Sequence, residues 1–153
     1  MTSEPKVAII TGASRGIGAA LVGAYRDIGY HVVASYRSIG RSDDPSTLAV
    51  DGDIASAKTA DRIVGLAIER FGRIDTLINN AGLFIAKPFT EYSEADFATM
   101  VGVNLAGFFH LTQRAAARML LAGSGHIVNI TAASAAANEP IGCSAIVAVI
   151  LTM

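Results

Sequence analysis

The chain has a single cysteine, Cys143, and its histidines stand far apart at His31, His110 and His126. One thiol cannot close an intrachain disulfide, and neither a cysteine cluster nor paired histidines offers a ligand set, so no metal site is expected. Charge is also scarce: 16% of the residues are charged and the formal net charge is −1, against an ordinary share of about 25%. That balance exerts no pull on nucleic acid or an anionic membrane, and neither is expected as a partner. The closing run from Ile141 to Met153 is apolar but short of the roughly 20 residues a membrane span needs. The opening Met-Thr-Ser-Glu-Pro-Lys lacks the basic segment and long apolar core of a secretory signal, so a cytoplasmic protein is expected. No internal repeat is visible, and the alanine-rich stretch 132–137 is the nearest approach to low complexity.

What the sequence does have is apolar mass, with 52% hydrophobic residues in 153, above the usual 45–50% or so. A chain of this length forms one domain with a real core, either well packed or built with surface meant for something else. Its organising stretch is Thr11-Gly-Ala-Ser-Arg-Gly-Ile-Gly18, which follows the apolar run Val7-Ala-Ile-Ile10. Apolar residues at Ile17, Ala20, Leu21, Ala24 and Ile28 then give a helical stripe. The pattern is strand, glycine turn, helix. Glycine permits positive φ and lets a ligand's phosphates approach the backbone, and the free N–H groups of the helix start make an anion site suited to a pyrophosphate.

Periodicity continues the alternation of strands and helices. His31 to Ser35 reads as a second strand, Leu48 to Val50 as a third, Ile74 to Ile78 as a fourth and His126 to Ile130 as a fifth. Residues 38–47 read as a surface loop. Ala60, Ile63, Val64, Ala67, Ile68 and Phe71 share one face of a helix ended by Gly72. Ser93 opens a long helix to about residue 121, with Asp96 as the acid of a capping box. Its face runs Phe97, Val101, Asn104, Leu105, Phe108, Leu111, Thr112, Ala115, Met119. An amide on that stripe needs buried partners, since leaving it unsatisfied costs about 1–3 kcal/mol.

The spacing Gly12, Gly16, Gly18 after a threonine, followed in order by Asp53-Ile54, Asn79-Asn-Ala-Gly82, Asn104 in Val-Asn-Leu and Ile127-Val-Asn-Ile130, resembles the short-chain dehydrogenase/reductase family from about Lys6 to Thr131. The resemblance implies a three-layer α/β doubly wound parallel sheet of order 3-2-1-4-5 with the cofactor at the carboxyl ends of the strands. It also implies a single NAD(P)-binding Rossmann-like domain over residues 1–153, incomplete at its C-terminal end and lacking the family's last strands.

Cofactor-binding residues implied in this way are Thr11, Gly12, Ser14, Arg15, Gly16, Ile17, Gly18, Tyr36, Arg37, Asp53, Ile54, Asn80, Ala81 and Gly82. Asp53-Ile54 meets the adenine in this reading, with a plain N-cap as the alternative for Asp53. NAD-preferring folds place an acid about 20 residues past the glycine turn. Tyr36-Arg37-Ser38 stands there instead, and with Arg15 it favours NADP over NAD. The alternative for Arg37 is a solvated side chain at a strand end.

Family members move a hydride between the nicotinamide and a carbonyl or alcohol, with a tyrosine handling the proton and a lysine lowering its pKa. No tyrosine follows Tyr92 and no lysine follows Lys87. The family's serine position is Ala132, and Ser134 is out of register. Asn104 matches the asparagine that holds a relay water, or serves as a structural amide. Asn104 and Ser134 are thus the catalytic candidates left. The expected protein is an NADP-dependent oxidoreductase cut short, a module that binds NADP without turnover, or a nonfunctional fragment. The closing run is expected to begin a buried helix. The fifth strand would then be a free edge, and self-association through it, the long helix and the tail is expected.

Overall fold

The apolar runs become strands because both of their faces find cover. A computed structural model describes residues 4–38, 42–133 and 145–152. Among these the elements run β1 (Val7–Thr11), α1 (Gly16–Asp27), β2 (His31–Tyr36), β3 (Thr47–Asp51), α2 (Ala57–Phe71) and β4 (Thr76–Asn79). A short 3-10 turn (Phe89–Glu91), α3 (Glu94–Val101), a π-helical turn (Gly102–Gly107), α4 (Phe108–Ala122), β5 (His126–Ala133) and β6 (Ala145–Thr152) follow. The sheet order is β3-β2-β1-β4-β5-β6, parallel from β3 through β5 as expected.

Val7 and Ile9 of β1, Val33 of β2 and Leu77 of β4 pack with Ala60, Ile63, Val64 and Ala67 of α2 and with Leu111, Ala115 and Met119 of α4. Ile10, Val32, Ala34 and Ile78 point the other way, against Leu21, Val22 and Tyr25 of α1. Strands buried on both faces read as near-continuous apolar runs. Burying one such Ile or Leu is worth about 1.5–3 kcal/mol, which is why these strands hold the sheet together. Gly72 and Gly123 end α2 and α4 in the left-handed region, at φ 76° and 73°, as a C-terminal glycine should. The Ser93–Asp96 capping box is formed in full at α3.

Five expectations need correction. Within the closing run Ala145–Thr152 is a strand, with β6 antiparallel to β5 from Ala133↔Ala145 to His126↔Thr152. A short apolar run cannot be assigned by periodicity; here β-branched residues dominate, and β5 offers an unpaired ladder. β5 is therefore interior, and β6 takes the edge. The long helix is interrupted by the π turn. Glycine at both of its ends weakens the α-helical ladder, and Asn104 draws the turn toward Leu83. Asn104 is exposed rather than buried, its amide satisfied by backbone. The packed face of α1 is Gly18, Leu21, Val22 and Tyr25, whereas Ile17, Ala20, Ala24 and Ile28 are exposed; Gly18 lies against the Gly12 carbonyl and the Asn80 amide, and residues three, four and seven further on share its face.

At the opposite end of the sheet from the glycine turn, Asp75 ties the start of β1 to the stretch before β4. Its Oδ2 accepts from Val7 N at 2.8 Å and Arg73 Nε at 2.9 Å, and its Oδ1 accepts from Arg73 Nη2 at 2.7 Å. Burial works against the charged carboxyl, but the Arg73 and Val7 hydrogen bonds outweigh it and hold the group below its ordinary value. With a depressed folded value, its contribution is complete above the unfolded value of about 3.9 and is lost as pH falls through the folded one. Asp75→Ala should cost about 1–3 kcal/mol at pH 7 in urea unfolding. The gap from wild type should narrow below about pH 4, and a gap that stays constant into acid would show that the carboxylate charge is not what Asp75 contributes.

Candidate dinucleotide site

β1 delivers the chain into a turn that only glycine can make. Gly12 and Gly16 have φ of 65° and 56°, and a Cβ on Gly12 would stand 2.9 Å from Ala81 Cα. Gly18 is tighter still, since a Cβ there would meet the Gly12 carbonyl oxygen at 2.1 Å. The start of α1 therefore lies directly on the turn. Its N-cap residue, Arg15, makes no side-chain cap bond, and the first helical turn holds no acid. Orphan N–H groups and the positive end of the helix dipole face outward there, which is the arrangement that receives an anion.

The second wall comes from β4. Thr11 is buried, and its Oγ1 accepts from Asn80 N at 3.0 Å and Ala81 N at 2.9 Å. Asn80 Nδ2 donates back to the carbonyls of Thr11 and Gly12 at 3.0 and 3.2 Å. This reciprocal clasp locks the 80–82 segment against the glycine turn. Deeper in, Asn79 Nδ2 donates to Thr112 Oγ1 and Asn129 Oδ1, both at 2.9 Å, joining β4 to α4 and β5.

Between these walls lies a cleft of about 830 Å³, within the usual range for ligand sites of roughly 300–1,000 Å³. Gly12, Ser14, Arg15, Gly16 and Ile17 line one side, Tyr36 and Arg37 the end of β2, Asp53 and Ile54 the loop after β3, and Asn80, Ala81 and Gly82 the end of β4. The cleft thus gathers twelve of the expected cofactor residues from four separated stretches. Thr11 and Gly18 lie beneath it as supports. Asn104 stands behind it, bonded through both amide atoms to the backbone of Leu83, with Leu83 N donating to Oδ1 and Nδ2 donating to the Leu83 carbonyl, each at 2.8 Å. Ser134 lies outside the described residues.

The electrostatics are one-sided at the β2 end. Arg15 and Arg37 are exposed on the cleft, and neither is among the ion pairs of the described residues. Burial pushes the Tyr36 phenol above its ordinary value, so it is neutral at pH 7. Asp53 Oδ1 accepts from Ala55 N at 3.0 Å, a local turn that shapes the loop. Asp53 is not the cap of α2, because Ser56 holds that position.

Sequence reasoning missed the far wall. Leu83, Ala98, Thr99, Gly102 and Val103 also line the cleft; Leu83 follows β4 in a loop, and the other four are small uncharged residues of a helical pattern, which carry no chemical signature.

A sequence profile described as short chain dehydrogenase matches residues 6–145. An uncharacterised oxidoreductase of Staphylococcus epidermidis is 31% identical over 137 residues, 86% of this chain and 60% of that protein. A 3-oxoacyl-[acyl-carrier-protein] reductase of Synechocystis is 32% identical over 145 residues, 88% of this chain and 59% of that protein. Among solved structures, a short-chain dehydrogenase from Streptomyces avermitilis superposes with a TM-score of 0.80 at 29% identity, covering 86% of this chain and 50% of that one. The chain therefore spans between half and three fifths of the length of these relatives.

Proposed function

The chain belongs to the short-chain dehydrogenase family, and from that premise we propose that its cleft holds NADP in preference to NAD, as the cofactor-binding part of a cytoplasmic oxidoreductase acting on a small carbonyl or alcohol. The observation that carries the cofactor choice is the end of β2, where Tyr36-Arg37 replaces an acid and the Arg37 and Arg15 guanidinium groups line one cleft. A carboxylate there would bind the ribose hydroxyls of NAD and repel a 2′-phosphate, whereas guanidinium groups attract one and can pair with it bidentately.

The residues fit the group. Gly12, Gly16 and the start of α1 receive the pyrophosphate, Asp53 and Ile54 the adenine, and Ala81 and Gly82 the flat face of the adenosine. A bound nicotinamide dinucleotide supplies or accepts the hydride. The chain's own residues bind it, orient it along the carboxyl ends of the strands and, through Asn104, hold the Leu83 segment beside it. The relay role of Asn104 belongs to the same proposal. One specific observation favours the second reading, a module that binds without turnover: residues 93–153 contain no tyrosine and residues 88–153 no lysine.

In an equilibrium titration NADPH should bind at least about tenfold tighter than NADH, a difference of about 1.4 kcal/mol. Equal affinities would show that Arg37 only meets solvent. Self-association is a further part of the proposal, supported by the exposed side chains of Phe97, Leu105 and Phe109 on α3, the π turn and α4. Light scattering on the full chain at micromolar concentration should give species larger than a monomer, and a single sharp monomer peak would remove this part.

A further inference from the structure

The π turn carries two glycines at its ends, and both lie against the loop after β3. A Cβ on Gly107 would meet the Ile54 carbonyl oxygen at 3.0 Å, Ile54 Cγ2 at 3.1 Å and the Ile54 carbonyl carbon at 3.2 Å, and one on Gly102 would reach Ala55 Cβ at 3.4 Å. Gly107 is buried and has ordinary helical dihedrals, φ −60° and ψ −47°. The backbone there would accept any residue, so only the proximity of Ile54 calls for glycine. Between the two glycines, Asn104 grips Leu83 through both amide atoms. Ile54 and Leu83 both line the cleft.

We propose that Gly107 is a positioning residue for the adenosine half of the cleft: its bare backbone seats Ile54, and the turn that carries it ties that loop to Leu83 through Asn104. This rests on the dinucleotide reading above. The turn sets the distance between two walls that a flat ligand must fill, and a methyl group at residue 107 would push the 53–55 loop away from the turn by a few tenths of an ångström.

The test compares Gly107→Ala with Gly65→Ala, a glycine within α2 whose added Cβ would meet nothing within 4 Å. The probes are NADPH and adenosine 2′,5′-bisphosphate, which occupies only the adenosine half. Gly107→Ala should weaken the bisphosphate by about tenfold or more, while its nucleotide-free unfolding midpoint stays level or rises, because alanine is the better helix former. Gly65→Ala should bind like wild type. Unchanged affinity in Gly107→Ala overturns the proposal, and so does weakened binding accompanied by a lowered midpoint, which would mark a structural role alone. A wild type that binds neither probe brings down the dinucleotide reading itself, and this inference with it. Hydrogen exchange on the wild type decides the matter if Gly107→Ala does not fold. The bisphosphate should then protect amides 53–56 and 102–107 together, and protection confined to 53–56 overturns the coupling.

Discussion

Gly18→Ala should cost about 3 kcal/mol of stability and remove measurable dinucleotide binding. The added methyl would stand 2.1 Å from the Gly12 carbonyl oxygen and 2.6 Å from Asn80 Nδ2, well inside van der Waals contact. No flexible side-chain end can move aside, since the carbonyl is main chain and Asn80 is held by the carbonyls of Thr11 and Gly12. Overpacking a tight site typically costs about 1–3 kcal/mol, and a clash with backbone belongs at the upper end. The helix start must back away from the turn, and the N–H groups that would receive a pyrophosphate move with it. Gly23→Ala provides the contrast within the same helix. A Cβ there meets nothing within 4 Å, so alanine should stabilise by about 0.5–1 kcal/mol through helix propensity. Urea unfolding and NADPH titration of both variants check this. Similar behaviour of the two would mean that α1 does not sit on the turn as described.

The 153 residues should not reduce ketones or aldehydes above background by the family's mechanism. General acid catalysis is worth typically about 10²–10⁴-fold, and the sequence offers no tyrosine after Tyr92, no lysine after Lys87 and alanine at position 132. Asn104 does not substitute, because both of its amide atoms are engaged with Leu83 and an amide is not a proton donor of useful acidity. NADPH consumption by the pure chain should match the buffer rate across a panel of carbonyl compounds. Consumption that depends on the protein and disappears in Gly16→Asp would contradict this, and would mean that another group delivers the proton.

The parts of the fold that follow from local signals were legible. A glycine turn between an apolar run and a helical stripe is local, as are the Ser93–Asp96 cap and the glycine ending α2, and each stands where the spacing put it. The alternation of strands and helices was legible from periodicity, and the parallel order β3-β2-β1-β4-β5 was implied by the family resemblance that the motifs carry. What escaped depends on contacts distant in sequence. The π turn exists because Asn104 reaches Leu83 and Gly107 admits Ile54, bonds and approaches across 21 residues or more, and no periodicity marks it. β6 escaped for a different reason, since an apolar run of eight residues fits strand and helix alike. The packed face of α1 was misjudged because Gly18, invisible to a hydrophobic pattern, sets the helix's rotation.

In the cleft the same division holds. Arg15, Arg37, Asp53 and Asn80, which the family resemblance implied, all line it. Ala98, Thr99 and Val103, which supply shape on the far wall, were not legible. Thr11 lies beneath the cleft and Asn80 lines it, and the threonine hydroxyl and the asparagine amide also hold the two walls to each other.

The reading stands or falls on the charge at the end of β2, and titrating Arg37→Asp with NADPH and NADH beside the unmutated chain tests it most directly. The preference should reverse: NADPH is preferred by at least about tenfold in the wild type and NADH in the variant, because the new carboxylate accepts from the ribose hydroxyls and repels the 2′-phosphate. An NADPH affinity that is unchanged by reversing the charge at residue 37 would contradict it.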